Sequence, residues 1–381
     1  MNQLTTTVQG FAHERFDFVR DLFERNFATG RDIGASFSVT IAGETVVDLW
    51  GGWADEAGTR PWQRDTIVNV YSTTKTMTAL VALLLADRGA LDFTAPVARY
   101  WPEFAAAGKA DIMVSQLMAH SSGLAAWREP VTPDDLYDWE KMTRLLAAQA
   151  PWWEPGTAPG YHAQTQGYLA GEVIRRVAGK TVGTLFREEI AQPLGADFHI
   201  GLPASEDHRV ADLIPPPPVV PGDDLPSPLL LAALTNPPSD PLVTRTRAWR
   251  AAEIPALNGH GNARSIARVH GILANGGVME GRRFLSEGGC RRALNLQIAG
   301  TDLVLGTPAR YGLGFGLPPE AIEAPHGDSL AWGGWGGSIV VIDMRARAVF
   351  AYAMNRMQAG AIGDERSLGI IRAIWAELAK V

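Results

Sequence analysis

The strand-like patterns at the two ends of the chain limit its possible folds more than any other feature. Alternating residues rich in Val, Ile, Thr and Phe predict a β-hairpin near the N-terminus and a second strand pair near the C-terminus. These segments are residues 35–50, broken by a turn at 42–44, and residues 338–343 and 348–354. Helical periodicity in residues 11–27 and 365–380 predicts a helix beside each pair. We therefore expect an α+β fold in which both chain ends build one antiparallel sheet flanked by helices.

The sequence between the two strand pairs is helix-rich and predicts an inserted, mainly helical domain. A chain of 381 residues is long for a single domain and suits two. We assign residues 1–91 and 301–381 to the sheet domain and residues 92–300 to the insert, with the functional cleft between them. A proline-rich run near residues 214–227 must be extended, and we expect it to form a long surface loop bordering this cleft.

The composition disfavours several classes of partner. A formal net charge of −7 argues against nucleic acid and anionic membranes, which require a basic surface. No segment approaches 18 uninterrupted apolar residues, and residues 1–15 lack a basic region followed by an apolar run, so we expect a cytoplasmic protein. The single cysteine, Cys290, provides neither a disulfide nor a metal cluster. A small neutral or mildly polar molecule is the expected partner, with no metal or cofactor, and no oligomeric state is indicated.

The stretch Ser72-Thr73-Thr74-Lys75 places a hydroxyl and an amine three residues apart at a predicted helix start. Residues i and i+3 share one helix face, so the lysine amine can reach back toward the serine hydroxyl. Apolar residues at helical spacing in residues 77–85 predict that this helix is buried. Burial lowers the pKa of an amine and lets it act as a base near neutral pH. The alternative is an N-cap serine beside a solvated lysine.

Two further stretches carry groups suited to a catalytic cleft. Tyr161-His162-Ala163 follows a turn-forming run at residues 154–160, and a tyrosine displayed on such a loop can act at a cleft. Its alternative is a buried aromatic anchor. Trp332-Gly333-Gly334-Trp335-Gly336-Gly337 leads into a predicted strand, where glycines let a ligand approach backbone N–H donors. A plain glycine-rich turn is the alternative there.

Other catalytic templates are absent from the sequence. It contains no Gly-x-Ser-x-Gly elbow, no His-Glu-x-x-His helix, no P-loop and no Gly-x-Gly-x-x-Gly. His120 and His260 both lie beside tight-turn residues, which favours structural hydrogen bonding for each over a catalytic role. The candidate chemistry therefore rests on the serine, the lysine and the tyrosine.

Together these motifs resemble the serine hydrolases of the β-lactamase and penicillin-binding-protein fold, most closely the family VIII carboxylesterases. Ser72-x-x-Lys75 corresponds to the Ser-x-x-Lys motif of these proteins, and Tyr161 corresponds to the tyrosine of the Tyr-x-Asn motif in class C β-lactamases. Trp332-Gly333-Gly334 corresponds to the Lys-Thr-Gly motif on the edge strand, which is often Trp-Gly-Gly or His-Gly-Gly in the esterase branch. The resemblance covers nearly the whole chain and implies a β-lactamase/transpeptidase-like fold.

The resemblance implies a carboxylesterase that cleaves small uncharged carboxylic esters through an acyl-enzyme on Ser72. Lys75 and Tyr161 would share the acid–base work, and either one could be the base. The backbone N–H groups of Ser72 and Trp335 would form the oxyanion hole. Other expected substrate contacts are Trp332, Gly333, Gly334, Trp335, Trp152, Trp153 and His162. With twelve tryptophans in the chain, we expect an aromatic pocket, although core packing is the ordinary role of each one.

Two departures from the family pattern bear on the substrate. Ala163 stands where Tyr-x-Asn has its asparagine, and Trp332 stands where Lys-Thr-Gly has its lysine. The first removes an amide and the second removes a cation suited to a carboxylate, which points away from β-lactams and peptidoglycan stems. The alternatives are an acyltransferase with the same site; a β-lactamase, D-amino peptidase or amide hydrolase; and an inactive binding module.

Overall fold

Most of the β-structure comes from the two ends of the chain. The computed structural model describes residues 7–217, 227–360 and 362–380. The strands are β1 (Gln9–Ala12), β2 (Gly34–Ile41), β3 (Glu44–Gly52), β4 (Val68–Asn69), β5 (Phe198–His199), β6 (His260–Gly261), β7 (Val278–Met279), β8 (Arg282–Arg283), β9 (Ile298–Thr301), β10 (Pro308–Tyr311), β11 (Ser329–Gly333), β12 (Ile339–Asp343) and β13 (Ala348–Met354).

The α-helices occupy mainly the middle of the chain. They are α1 (Phe18–Ala28), α2 (Thr74–Asp87), α3 (Val114–Met118), α4 (Trp139–Ala148), α5 (Thr165–Ala178), α6 (Val182–Phe186), α7 (Gln192–Leu194), α8 (Pro228–Thr235), α9 (Arg247–Ala251), α10 (Ala263–Ala274), α11 (Glu287–Arg291) and α12 (Glu365–Leu378). No helix in these described ranges is long and apolar enough to cross a membrane.

Six strands form the main antiparallel sheet, in the order β1-β3-β2-β13-β12-β11. The predicted hairpin is β2–β3, the predicted C-terminal pair is β12–β13, and β13 pairs with β2 to join the chain ends. Ser36 Oγ on β2 accepts a hydrogen bond from the N–H of Ala263 at the start of α10. Phe350 on β13 points to the opposite face, where its ring packs against Trp375 of α12. Helices thus cover both faces, and the α+β fold class is confirmed.

The N-terminal segment differs from the expected helix over residues 11–27. The helix α1 begins only at Phe18, because Gln9–Ala12 pairs with β3 as an edge strand. A short 3-10 turn at Glu14–Phe16 then turns the chain into α1. Helical spacing of apolar residues did not reveal that an edge strand was available for pairing. Of the predicted proline-rich loop, residues 218–226 lie outside the described residues.

The helix α2 lies at the centre of the molecule and packs against α5 and α6. Every residue from Thr74 to Ala86 is buried, as the apolar pattern predicted. The division at residues 92–300 remains a prediction, and α10, which falls inside that range, packs against β2, β12 and β13. The packing of α2 determines the environment of the lysine in its first turn.

Candidate active site

Ser72 lies in a tight turn between β4 and α2. The turn is a 3-10 helix at Tyr71–Thr73, and Tyr71 has a positive φ of 43°, a conformation that costs a residue with a side chain. Neighbouring hydrogen bonds hold this backbone in place, since the Gly259 N–H donates to Thr74 Oγ1 at 2.9 Å and Thr74 Oγ1 donates to the Tyr71 carbonyl. Ser72 is therefore presented at the wall of a cleft by a fixed turn.

Lys75 occupies a fully buried position beneath Ser72. Its Nζ lies 3.0 Å from Ser72 Oγ, 2.7 Å from the carbonyl oxygen of Ala163 and 3.1 Å from that of Ala256. Desolvation by burial lowers the pKa of Lys75 well below its usual value. A neutral amine has two N–H donors and one lone pair, which match two carbonyl oxygens and one hydroxyl. The site therefore suits an uncharged Lys75 that can accept the Ser72 proton.

Tyr161 approaches Ser72 from the other side. Its Oη donates to Ser72 Oγ at 2.6 Å. Burial raises the pKa of Tyr161, and the nearby carboxylate of Asp302 raises it further, although the hydrogen bond to Ser72 lowers it. Tyr161 is therefore a neutral phenol at ordinary pH. Ser72 Oγ accepts a hydrogen bond from Tyr161 and can donate its own proton to Lys75, so the geometry allows Ser72 to be deprotonated by the amine.

Asp302 is a site residue that sequence reasoning missed. Its Oδ1 accepts hydrogen bonds from the backbone N–H groups of Tyr161, Val304 and Leu305 at 3.0, 2.9 and 2.9 Å. Its Oδ2 accepts from the hydroxyl of Tyr311 at 2.9 Å. This buried carboxylate thereby fixes the position of Tyr161. An Asp that accepts from the next few N–H groups is a recognisable turn signal, but that signal does not reveal a contact with Tyr161, 141 positions away.

The glycine-rich stretch at residues 332–337, which was expected to supply an oxyanion donor, begins at the end of β11 and continues beyond it. Among the described residues, the N–H groups of Ser72 and Trp335 have no hydrogen-bond partner within the protein, and both residues line the same cleft. Gly334 allows this approach, because a Cβ at that position would lie 2.1 Å from the carbonyl oxygen of Val70, in the turn before Ser72. The two N–H groups are thus available to a ligand.

Trp332 lies on the far side of Tyr161 from the cleft. Its indole stacks on the imidazole of His120 at 5.2 Å with an interplanar angle of 12°. Both Trp332 and Gly333 line a second cavity of about 580 Å³, which also contacts Tyr161. His120 is buried, its Nδ1 accepts from the N–H of His162, and burial lowers its pKa well below the usual value. His120 therefore supports the aromatic wall as a neutral ring.

Three residues expected to contact substrate lie away from both cavities. His162 is fully buried, its Nδ1 bonds to the Gly160 carbonyl, and burial lowers its pKa to about 4. Trp152 donates its indole N–H to the Ala126 carbonyl at 2.9 Å. Trp153 does the same to the Ala158 carbonyl at 3.0 Å. These hydrogen bonds connect residues 152–162 to one another and to the segment at Ala126, and none of the three residues lines either cavity.

His260, expected to be structural, lies on β6, away from Ser72 and the cleft wall. It is fully buried, and burial lowers its pKa to about 3. Its Nδ1 bonds to the carbonyl oxygen of Asn258 at 2.8 Å, within the loop that contacts α2. His260 therefore belongs to the packing behind the site.

The cleft in front of Ser72 has a volume of about 1740 Å³ and is open to solvent. Its wall is mostly apolar, and Asp240 is the single charged residue among the described residues that line it. No group of three or more His, Cys, Asp or Glu side chains in the described part of the chain is placed to hold a metal ion. Ser72 and Tyr161 thus face a mostly apolar space, and Lys75 lies buried beneath Ser72.

Comparison with known proteins places these observations in a family. The family model "Beta-lactamase" matches residues 19–372. The chain is 38% identical over 370 residues to the esterase/beta-lactamase LipL of Mycobacterium tuberculosis, covering 92% of this chain and 83% of the relative. A solved family VIII carboxylesterase superimposes with a TM-score of 0.93 at 47% identity, covering 97% of this chain and 100% of that one. A penicillin-binding protein homologue from Caulobacter crescentus superimposes with a TM-score of 0.92 at 41% identity over the same shares.

Proposed function

This chain belongs to the beta-lactamase family and is a serine hydrolase that acts on esters. From that premise we propose that it hydrolyses uncharged carboxylic esters through an acyl-enzyme on Ser72. One observation carries the proposal. Ser72 Oγ lies 3.0 Å from Lys75 Nζ and 2.6 Å from Tyr161 Oη, at the wall of a mostly apolar cleft. A nucleophile thus lies within hydrogen-bond reach of both a base and an acid.

In the acylation step, Lys75 takes the proton of Ser72 while Oγ bonds to the ester carbonyl carbon. The N–H groups of Ser72 and Trp335 bind the oxygen that becomes negative. As the ester C–O bond breaks, the leaving alkoxide takes the proton of Tyr161, while Lys75 keeps the Ser72 proton as its ammonium. This assignment makes Lys75 the base and Tyr161 the acid, in accord with the directions of their pKa shifts.

In the deacylation step the same groups act on water. Water delivers a proton to the phenolate of Tyr161 as its oxygen attacks the acyl carbon, and Ser72 Oγ leaves with the proton that the ammonium of Lys75 returns to it. The carboxylic acid is released and the resting hydrogen bonds are restored. No additional group is needed for the balance of protons, because each proton taken in one step is returned in the next.

The charge of the cleft supports an uncharged substrate. The described lining contains Asp240 as its charged residue and no cation. Arg310, in the second cavity, lies 3.5 Å from the carboxylate of Glu320 and is paired. A carboxylate-bearing substrate such as a β-lactam or a peptide would find Asp240 repulsive and no cation in the cleft to bind it.

Intact-mass spectrometry with a fluorophosphonate and a p-nitrophenyl ester tests the proposal. We expect one adduct on the wild-type protein, no adduct on Ser72→Ala, and rapid release of p-nitrophenol only from the wild type. Ser205→Ala is the matched control, because Ser205 is exposed and its hydroxyl contacts only Glu206. An adduct that persists without Ser72 would overturn the assignment of the nucleophile.

A further inference from the structure

The helix α8 forms an unusually apolar part of the cleft wall. Its sequence, Pro-Leu-Leu-Leu-Ala-Ala-Leu-Thr, carries no charge, yet only Ala233 is buried. Leu231 is 50% exposed and Leu234 is 55% exposed. A surface helix usually presents polar residues to water, so a helix that is apolar on all sides indicates a missing contact.

The exposed leucines of the wall surround the opening of the same cleft that contains Ser72. Leu230, Ala233 and Leu234 of α8 line one side. Leu242 and Leu305, which are 45% and 39% exposed, line the cleft as well. The apolar surface is therefore continuous from the solvent to the nucleophile.

The exposed leucines at the cleft form a contiguous apolar patch. Scattered apolar residues on a surface need no explanation, but a contiguous patch that rims a functional cleft marks a binding surface. The neighbouring cavity at Tyr161 is about one third as large and contains Arg310 and Glu320. The two spaces therefore suit groups of unequal size and polarity.

We propose that the substrate is an ester with one bulky apolar group, such as a medium-length alkyl chain, that lies along α8 and contacts Leu230 and Leu234. The inference rests on the proposed esterase function and narrows its substrate class. Burial of the alkyl chain removes apolar surface from water on both the substrate and the leucines, which favours binding. Leu234 is then a specificity-determining residue.

The test compares ester series of increasing chain length, with kcat/KM taken below the concentration at which each ester forms micelles and the long esters assayed above that concentration as well. One series is p-nitrophenyl acetate to decanoate and the other is butyl to decyl acetate, so that the chain is placed on the acyl or on the alcohol side. We expect kcat/KM to rise with chain length in at least one series. That series then identifies the group that lies along α8.

Leu234→Gln is the test variant and Leu231→Gln is its matched control. Both residues lie on α8 and are similarly exposed, but only Leu234 lines the cleft. Leu and Gln have similar helix propensities, so both variants keep the helix. In the series that shows the preference, we expect Leu234→Gln to lower the ratio of kcat/KM between the longest and the shortest ester about tenfold, the lower end of the range for apolar pocket contacts. Leu231→Gln leaves this ratio unchanged.

Three results would overturn the inference. They are a wild-type kcat/KM that falls with chain length in both series, an equal effect of the two variants, and activity on long esters that appears only above the micelle-forming concentration. The last would assign the leucines to docking on a lipid surface. Fluorophosphonate labelling of Ser72 in the same samples separates the two proposals. Labelled enzyme without a chain-length preference contradicts only the substrate class, whereas unlabelled enzyme contradicts the esterase function.

Discussion

Replacement of Tyr161 by phenylalanine removes only the phenolic hydroxyl, which donates a hydrogen bond to Ser72 Oγ at 2.6 Å. If Tyr161 protonates the leaving alkoxide, its loss should cost the usual contribution of general acid–base catalysis, about 10²-fold to 10⁴-fold in kcat/KM. At 1.36 kcal/mol for each factor of ten, this corresponds to about 3–5 kcal/mol of transition-state stabilisation. The raised pKa of Tyr161 keeps the proton in place until the alkoxide forms.

The leaving group makes this prediction specific. An alkoxide needs a proton in order to leave, whereas p-nitrophenolate is stable as an anion at neutral pH. We therefore expect Tyr161→Phe to lose the full 10²-fold to 10⁴-fold on an ethyl ester and about tenfold on the p-nitrophenyl ester of the same acid. Steady-state kcat/KM for the two esters, measured side by side, gives the comparison.

Tyr168→Phe is the matched control for this experiment. Tyr168 is also buried and its hydroxyl also donates at 2.6 Å, but to the carbonyl oxygen of Leu136. It should lose about 1 kcal/mol of folding stability and show no dependence on the leaving group. Equal losses of Tyr161→Phe on the two esters would refute the acid role, and Tyr161 would then act as the base or only position Ser72.

Two further predictions concern pH and stability. Burial lowers the pKa of Lys75, so its neutral form is reached at lower pH than in an exposed lysine. We expect kcat/KM to rise with pH as Lys75 loses its proton and then to stay level, because the pKa of Tyr161 is raised. A profile that rises only in the usual lysine range would contradict the role of Lys75 as the base. Arg366→Met leaves the buried carboxylate of Asp32 without its ion pair at 2.9 Å and should cost about 3–5 kcal/mol in urea unfolding. Arg372→Met removes an exposed pair and should cost at most about 1 kcal/mol; equal losses for the two variants would refute this account.

The parts of the fold that depend on local pattern could be predicted from sequence. Alternation identified β2, β3, β12 and β13, and the apolar run after Ser72 identified a buried helix, because both periodicities are written in consecutive residues. The edge strand β1 was not found, since its stability comes from pairing with β3. The site residues likewise divide into those visible in consecutive sequence and those that come together only on folding. Ser72 and Lys75 are neighbours in sequence, whereas the contact between Asp302 and Tyr161 exists only after folding.

Sequence proximity was a poor guide to the substrate-contacting residues. Trp152, Trp153 and His162 were expected at the cleft because they lie near Tyr161 in the chain, but their indole and imidazole nitrogens bond to the backbone carbonyl oxygens of Ala126, Ala158 and Gly160. Residues from α8 and from the segment around Leu242, without any motif, supply the wall instead. A motif fixes the reacting atoms, whereas the shape of a cleft depends on how distant segments pack.

The position of Ala163 shows how this chain can keep the catalytic groups while changing the substrate. Its backbone carbonyl accepts a hydrogen bond from Lys75 at 2.7 Å, a contact that does not depend on the side chain. Ala256, the second carbonyl partner of Lys75, is likewise a backbone contact. The asparagine found at this place in the resembling lactamases could therefore be lost without disturbing the amine. Ala163 also lines the cleft, so the smaller side chain leaves apolar space beside Ser72. Because backbone atoms hold Lys75 in place, the side chains around it can vary with the ester that the cleft accepts.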